Sequence, residues 1–386
     1  MNIESLPFHK PDIGEEEIQS VVETLGSGWL TTGYKSRSFE EHFVRYLGCQ
    51  HAVAVNSGTA ALHLALDAVC IDEGDEVIVP TMTFTATAEV VLYFRARPVL
   101  VDCEAGTLNI DPLDIERKIT PRTKAIIPVH IAGQSCNMDR IVEIARRHNL
   151  KVIEDAAHAL PTHYKGKMIG TIGDITCFSF YVTKPIATGE GGMAVTDNPE
   201  WAERMRIMSL HGISKDAWKR YTNEGSWFYE VHYPGFKYNL TDIAAAIGIE
   251  QLKKCDRFWA ARKRIAVVYN EGFAAFPEVK PPAQAPYSDH AWHLYIIQLE
   301  TEKLKIDRGQ FITALKERGI GTSVHFIPLH LHPFYRDTFG YKPEDFPVAS
   351  RVFERIISLP IYPSMSDQSV QRVIAAVTDV VEKNRR

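Results

Sequence analysis

Between Ala52 and Asp155 the chain repeats one unit, a short Val- and Ile-rich run followed by a helical stretch. AVAV (52–55) leads into a helical pattern from Gly58 to Ala68, and EVIVP (76–80) into one from about Thr85. PVLVD (98–102) leads into Pro112–Lys118, KAIIPV (124–129) into Met138–His148, and KVIED (151–155) closes the series. The runs are continuously apolar, not alternating, which is the pattern of strands buried on both faces. Strands separated by helices pair in parallel. The spacing therefore predicts an α/β fold with a mainly parallel sheet flanked by helices. Such sheets take their ligands beyond the carboxyl ends of the strands. Residues just after each run become the site candidates.

The flanking regions read differently. Two helices are expected before the repeat, over Glu15–Leu25 and Ser38–Leu47, joined by the Gly-rich loop GSGWLTTGYKS. After it, ITCFSF (175–180) and GGMAV (191–195) read as strands on either side of Lys184. One long helix is expected from Asp242 to about Asn270, then a Pro-rich break, PPAQAPYSD (281–289), and a strand over HAWHLYIIQLE (290–300). Helices follow near Arg308–Arg318, Val348–Ile357 and Gln368–Lys383. This divides the chain into a large domain, 1–254, and a smaller α+β domain, 255–386.

Charge and cysteine usage narrow the function classes. A formal net charge of -5 gives no basic field for nucleic acid or an anionic membrane. The six cysteines are scattered without a CxxC pair, against a disulfide framework and in keeping with a reducing cytoplasm. MNIESLPFHKPDIGEEEI carries no signal-peptide pattern, and the longest uncharged run, Cys49–Leu66, is too polar to be a membrane span.

Three segments carry possible chemistry. NSGTAAL (56–62) joins a strand to a helix, and suits either an anion at the helix N-terminus or a plain serine cap. Asp155 ends a strand at the ligand edge, where it either caps the next segment or meets a cationic partner such as a protonated heteroaromatic nitrogen. His158, three residues on, could touch the same ligand or be an ordinary core histidine. Lys184 stands in SFYVTKPIATGEGGM (179–193), 29 residues after Asp155. It is either a solvated surface lysine or a desolvated nucleophile toward carbonyls. Ser179 could offer a hydroxyl to a phosphate. Phosphate cradle, carboxylate and lysine come in the order that pyridoxal 5′-phosphate needs.

The chain resembles the DegT-type sugar-nucleotide aminotransferases, which are fold-type-I pyridoxal phosphate enzymes. The resemblance rests on SGWLTTG (27–33), VNSGTAALHLAL (55–66), GDEVIVPTMTFTAT (74–87), IEDAAHA (153–159), SFYVTKPIATGEGGM and GFKYNLTD (235–242). It implies that Lys184 is the Schiff-base lysine and Asp155 the partner of the pyridine nitrogen. It implies that Phe84 stacks on the ring, that Gly58, Thr59, Ala60 and Ser179 hold the phosphate, and that His158 lies near the phenolic oxygen. Asn239 matches an asparagine that reaches the phosphate of a neighbouring subunit, which implies a homodimer with shared active sites. The resemblance places Trp29 and Thr31 near the sugar nucleotide, with a plain surface loop as the alternative, and His325 either faces the sugar or a phosphate or is an ordinary loop histidine. L-glutamate and 2-oxoglutarate are the implied donor pair, and a nucleotide-linked keto sugar the acceptor.

Within the family, SGWLTTG, TKAIIPVHIAG (123–133), HGISKDAWKR (211–220), HAWHLYII (290–297) and GIGTSVHF (319–326) are most similar to UDP-4-amino-4-deoxy-L-arabinose aminotransferases. That favours a UDP-4-keto-pentose and suggests lipopolysaccharide biosynthesis, with the pathway open between lipid A modification, O-antigen assembly and another glycan. Tyr181-Val182-Thr183 departs from that subgroup, and IPLHLHPFYRD (327–337) looks more like enzymes aminating 4-keto hexoses. Amination at C3 stays open as well.

Other readings have weaker support. Relatives acting as 3-dehydrases carry histidine in place of the lysine, and here Lys184 is present. GWLTTGYKS nearly matches a P-loop, but Tyr34 separates Gly33 from Lys35 and the preceding segment reads as helix. His325, His330 and His332 lack a cysteine or carboxylate pattern to complete a metal site. A non-catalytic regulator on the same fold would not need every cofactor position filled.

Overall fold

The alternation in the sequence builds a seven-stranded sheet. In a computed structural model the chain is described over residues 5–213 and 228–386, so most of the HGISKDAWKR block lies outside the described residues. Helices α1 (Glu15–Ser27) and α2 (Tyr34–Leu47) come first. Then β1 (His51–Val55), α3 (Gly58–Ala68), β2 (Glu76–Pro80), α4 (Ala86–Leu92), β3 (Arg97–Val101) and α5 (Pro112–Lys118) alternate. The series continues with β4 (Thr123–Ile126), α6 (Met138–His148) and β5 (Lys151–Asp155). A short hairpin, β6 (His163–Tyr164) and β7 (Lys167–Met168), leads to β8 (Ile175–Ser179), β9 (Gly192–Thr196) and α7 (Pro199–Met208).

The strand order is β1-β9-β8-β5-β4-β2-β3. Only β9 runs against its neighbours, and the other pairings are parallel. The last residues of β1, β2, β5 and β8 therefore open on one edge, where β9 begins. The segment between β8 and β9, which carries Lys184, is held at that edge by both strands.

The second half starts with α8 (Asp242–Lys253) and α9 (Cys255–Phe273), followed by β10 (Val279–Lys280), β11 (Ser288–Asp289) and β12 (Tyr295–Leu299). Then come α10 (Arg308–Glu317), α11 (Pro333–Phe339), α12 (Pro347–Phe353), β13 (Ile356–Leu359) and α13 (Asp367–Asn384). Strands β10, β12 and β13 form an antiparallel sheet. Its buried side chains, Ile297, Leu299 and Ile357, share a core with Ile265 and Phe273 of α9, Phe311 of α10 and Val377 of α13. Tyr335, Ala349 and Val352, although late in the chain, pack into the core of the large sheet.

Several boundaries differ from the sequence expectation. The loop after α1 is shorter, because α2 already starts at Tyr34. Its first turn is capped from a distance: the Asp242 carboxylate accepts from the amides of Gly33, Lys35 and Ser36 and from the Ser36 hydroxyl. No local pattern announces a cap supplied 200 residues later. The expected single helix from Asp242 to Asn270 is two, broken at Lys254 (φ -94°, ψ -6°), whose ammonium pairs with Glu16 and Glu17 of α1. The expected helix over Val348–Ile357 stops at Phe353, and IISL instead forms β13, every residue of which is buried. The strand at 290–300 is only Tyr295–Leu299, because His290 and Ala291 turn back toward Trp259 and Gly133.

Beside the site edge lies a buried histidine–carboxylate pair, in which His130 Nδ1 accepts from the Cys136 amide and Nε2 faces Glu154. Glu154 and His130 are both fully buried, with His130 Nε2 2.9 Å from Glu154 Oε2. Glu154 Oε1 also accepts from the Gly173 amide and the Thr176 hydroxyl, so the carboxylate is saturated. His130→Ala removes one donor and leaves the carboxylate short of its partner. Leaving a buried acceptor short of its donor typically costs about 1–3 kcal/mol. The expected result is a clearly lower urea midpoint, while His130→Gln, which restores an N–H donor, recovers part of it.

Candidate active site

The ends of β1, β2, β5 and β8 surround one cavity of ≈ 330 Å³. From the β1–α3 turn come Ser57, Gly58 and Thr59, from the segment after β2 Thr83 and Phe84, from β5 and its following loop Asp155 and His158, and from β8 Ser179. The 180–191 segment adds Tyr181, Thr183, Lys184 and Glu190.

At one end, α3 presents its first turn. Ser57 caps the helix by accepting from the Ala60 amide at 3.0 Å, so the plain-cap reading holds for that residue. Ala60 itself is buried and does not line the cavity, which corrects its expected place on a phosphate. Gly58 and Thr59 do line it, and first-turn amides have no intrahelical acceptor. A Cβ on Gly58 would come within 2.9 Å of Ser179 Cβ, so glycine is what lets the end of β8 approach the turn. Two first-turn amides, the helix dipole and two hydroxyls make a cradle suited to a phosphate.

At the other end lies Asp155, 6% exposed. Its Oδ2 accepts from Thr87 Oγ1 at 2.8 Å and its Oδ1 from the Ala157 amide at 3.1 Å. Burial raises its pKa, and Thr87, Ala157, Lys184 and His130 only partly offset this. No salt bridge reaches it among the described residues, so a cation set against it would be stabilising.

Lys184 is partly buried, and its Nζ takes no hydrogen-bond or ion-pair partner among the described residues. Desolvation lowers its pKa to about 8, with Asp155 pulling the other way. His158 is buried, and its Nδ1 accepts from the Ala132 amide at 3.3 Å, which leaves the proton on Nε2. Burial, Lys184 and His325 hold its pKa well below the usual value, so it is a neutral donor. Phe84 is 59% exposed, an aromatic face without full cover at the cavity mouth.

Trp29, Thr31 and Asn239 are not among the residues lining the cavity. Trp29 Nε1 donates to the Thr32 carbonyl, and Asn239 Nδ2 to Thr32 Oγ1 at 2.7 Å, so this loop and the KYN segment form a cluster of their own. His325 does line the cavity, with Nδ1 2.8 Å from Ser358 Oγ. His330 is bonded to Thr81 and Ser350 and stacked on Phe346, which makes it a core histidine. Phe8, His9, His293 and Phe326 also line the cavity and were missed from sequence. His293 carried a signal in HAWHLYII; Phe8 and His9 carried none, because tertiary contacts alone bring them there.

The residues fit pyridoxal 5′-phosphate. A buried carboxylate and a desolvated lysine, neither of them ion-paired among the described residues, share one cavity with an anion cradle that a Cβ would fill and an exposed aromatic.

Comparisons agree with this chemistry. Residues 11–378 match the DegT/DnrJ/EryC1/StrS aminotransferase family. The spore coat polysaccharide biosynthesis protein SpsC of Bacillus subtilis is 53% identical over 378 residues, covering 98% of this chain and 97% of that protein. Spr1654 of Streptococcus pneumoniae, a sugar aminotransferase solved in PMP and PLP forms, is 37% identical. Its PMP form has a TM-score of 0.92 over 98% of this chain and 99% of that one. Helicobacter pylori PseC, an aminotransferase involved in pseudoaminic acid biosynthesis, is 30% identical with a TM-score of 0.92, over 98% of this chain and 100% of that one. The chain belongs to the DegT/DnrJ/EryC1/StrS aminotransferase family: it is a sugar aminotransferase, and its cofactor is pyridoxal 5′-phosphate.

The Lys184–Asp155 coupling has a definite sign. A nearby negative charge favours the ammonium, so Asp155→Asn should lower the Lys184 pKa further below about 8. Measuring Lys184 acylation against pH in cofactor-free protein checks this. An upward shift would mean the two groups are not coupled as described.

Proposed function

We propose that this enzyme transfers the amino group of L-glutamate to C4 of a nucleotide-linked 4-keto sugar, in ping-pong order. The observation that carries the reading is Lys184, desolvated and unpaired, in one cavity with Asp155 and the Gly58–Ser179 cradle. Bound pyridoxal 5′-phosphate supplies an aldehyde for carrying the amino group and a ring that takes up electrons from the carbon losing its proton.

The chain's own residues have separable tasks. Gly58, Thr59 and Ser179 bind the phosphate. Asp155 keeps the ring nitrogen protonated, and Phe84 lies against the ring face. His158, neutral with its proton on Nε2, donates toward the phenolic oxygen. Lys184 Nζ, with its pKa lowered to about 8, would take up the proton lost from the donor's α-carbon and hold it for return to the cofactor. His325 faces the sugar. Trp29, Thr31 and Asn239, which lie outside the cavity of their own chain, serve the cavity of a second copy in a homodimer. The cofactor is held by a large domain, 1–254, and a small domain, 255–386, closes over it with His293 and His325.

For the sugar, the blocks shared with UDP-4-amino-4-deoxy-L-arabinose aminotransferases favour a UDP-linked 4-keto-pentose. A 4-keto-6-deoxyhexose is the second reading, favoured by IPLHLHPFYRD and by the name of the relative in pseudoaminic acid biosynthesis.

Incubating the enzyme with ¹⁵N-labelled L-glutamate and each keto sugar in turn decides the substrate. The expected outcome is ¹⁵N at C4 of the pentose, with 2-oxoglutarate released before the sugar is required. Label entering only the hexose would move the substrate to the second reading, and label entering neither would reject the acceptor class. Lys184→Ala should lower turnover by roughly 10³-fold, and near-normal turnover would remove Lys184 from the reaction.

A further inference from the structure

Residues 6–9 run between the two halves of the cavity wall. Leu6 donates its amide to the Gly319 carbonyl at 2.8 Å and accepts from the Gly321 amide at 2.9 Å, pairing in parallel with Ile320. Its side chain is buried in the core of the three-stranded sheet. Phe8 stacks on His325, with centroids 5.5 Å apart and planes at 25°. One residue further, His9 Nε2 lies 3.1 Å from the Val182 carbonyl. A carbonyl only accepts, so Nε2 carries the proton and donates. The stretch 182–185 is held at Pro185 by Arg262, whose Nη1 donates to the Pro185 carbonyl at 3.5 Å.

These contacts form one chain of connection. The segment 319–321 fixes Leu6, Phe8 meets His325, and His9 meets the carbonyl two residues before Lys184. Gly321 is the tight point, since a Cβ there would come within 2.8 Å of the Phe8 amide nitrogen. Arg262 is 2% exposed, and its Nε has no hydrogen-bond partner among the described residues. It lies near enough to His9 to lower the His9 pKa, together with burial, to about 4. His9 therefore stays neutral, with a single fixed N–H, across the working pH range.

We propose that residues 6–9 are a strap that sets the position of the Lys184 segment, with His9 as a positioning residue acting through the Val182 carbonyl. The inference rests on Lys184 being the residue that handles the proton, but its test does not require turnover. The strap also excludes water, because Phe8 and His9 form part of the cavity wall. Lys184 in that cavity shares space with Asp155, Glu190, His9, His158, His293 and His325. Withdrawing the strap wets the cavity and loosens the lysine while leaving Asp155, Glu190, His158 and His293 in place.

Competitive acylation of Lys184 with acetic anhydride, followed by mass spectrometry across pH in the full-length cofactor-free protein, reads this directly. His9→Ala should move the midpoint up by about half a unit or more, toward the ordinary lysine value. His9→Gln keeps an N–H for Val182 and should stay near the parent. Gly321→Ala lies outside the cavity, yet its Cβ presses on the Phe8 amide and should shift the midpoint in the same direction as His9→Ala. In the cofactor-loaded enzyme, His9→Ala should lower kcat with little change in the donor KM. Parent-like midpoints in both His9→Ala and Gly321→Ala overturn the strap, as does a Gln variant that shifts as far as Ala. If Gly321→Ala does not fold, the two His9 variants decide. Lys184→Ala turnover separately tests the functional reading, so either can fail alone.

Discussion

A carboxylate withdrawn from water without a bonded cation is the constraint on which the site depends. Asp155 has two hydrogen bonds, from Thr87 and Ala157, and burial pushes its pKa up in spite of them. The next residue toward the N-terminus, Glu154, is also buried but is satisfied by His130, Gly173 and Thr176. Successive side chains of a strand face opposite ways, so these neighbours meet different environments. One is finished structure. The other is left with a preference for positive charge, at the edge where four strands deliver their side chains.

The same withdrawal from water acts on the lysine with the opposite sign. A pKa of about 8 in place of 10.5 gives Lys184 a neutral fraction at pH 7 that is roughly a few hundred times larger. The imidazoles around it do not undo this. His9, His158, His293 and His325 are all held below their usual pKa, chiefly by burial, so the wall offers hydrogen bonds without adding charge. Burial thus tunes the base and the ring-binding acid together, and the closeness of the walls becomes a chemical quantity.

Legibility from sequence followed the range of the cause. The βα repeat was readable because a doubly buried strand needs a continuous run of Val and Ile, and nothing distant alters that. Asp155 and Ser179 end strands, Gly58 and Thr59 open the helix after one, and His158 and Lys184 lie a few residues beyond; all of them meet in one cavity. Ala60 was overextended: its amide goes to Ser57, a detail of cap geometry. The start of α2 was misplaced because its cap, Asp242, comes from another element. Ile356 and Ile357 read as the tail of a helix because so short an apolar run carries no decisive period, and pairing beside β12 made IISL a strand. Phe8 and His9 had no local signal at all.

The sequence by itself determined the mainly parallel sheet, the edge on which ligands bind, and the order of cradle, carboxylate and lysine, since each follows from residues close together along the chain. Only the tertiary structure decided the charge state of those groups and the rest of the wall. A pKa depends on everything within a few ångströms, and what surrounds Lys184 includes a histidine 175 positions earlier and another 141 positions later. Distance along the chain says nothing about that company; folding sets it, by closing two sheets and an N-terminal segment over one small volume that water largely leaves.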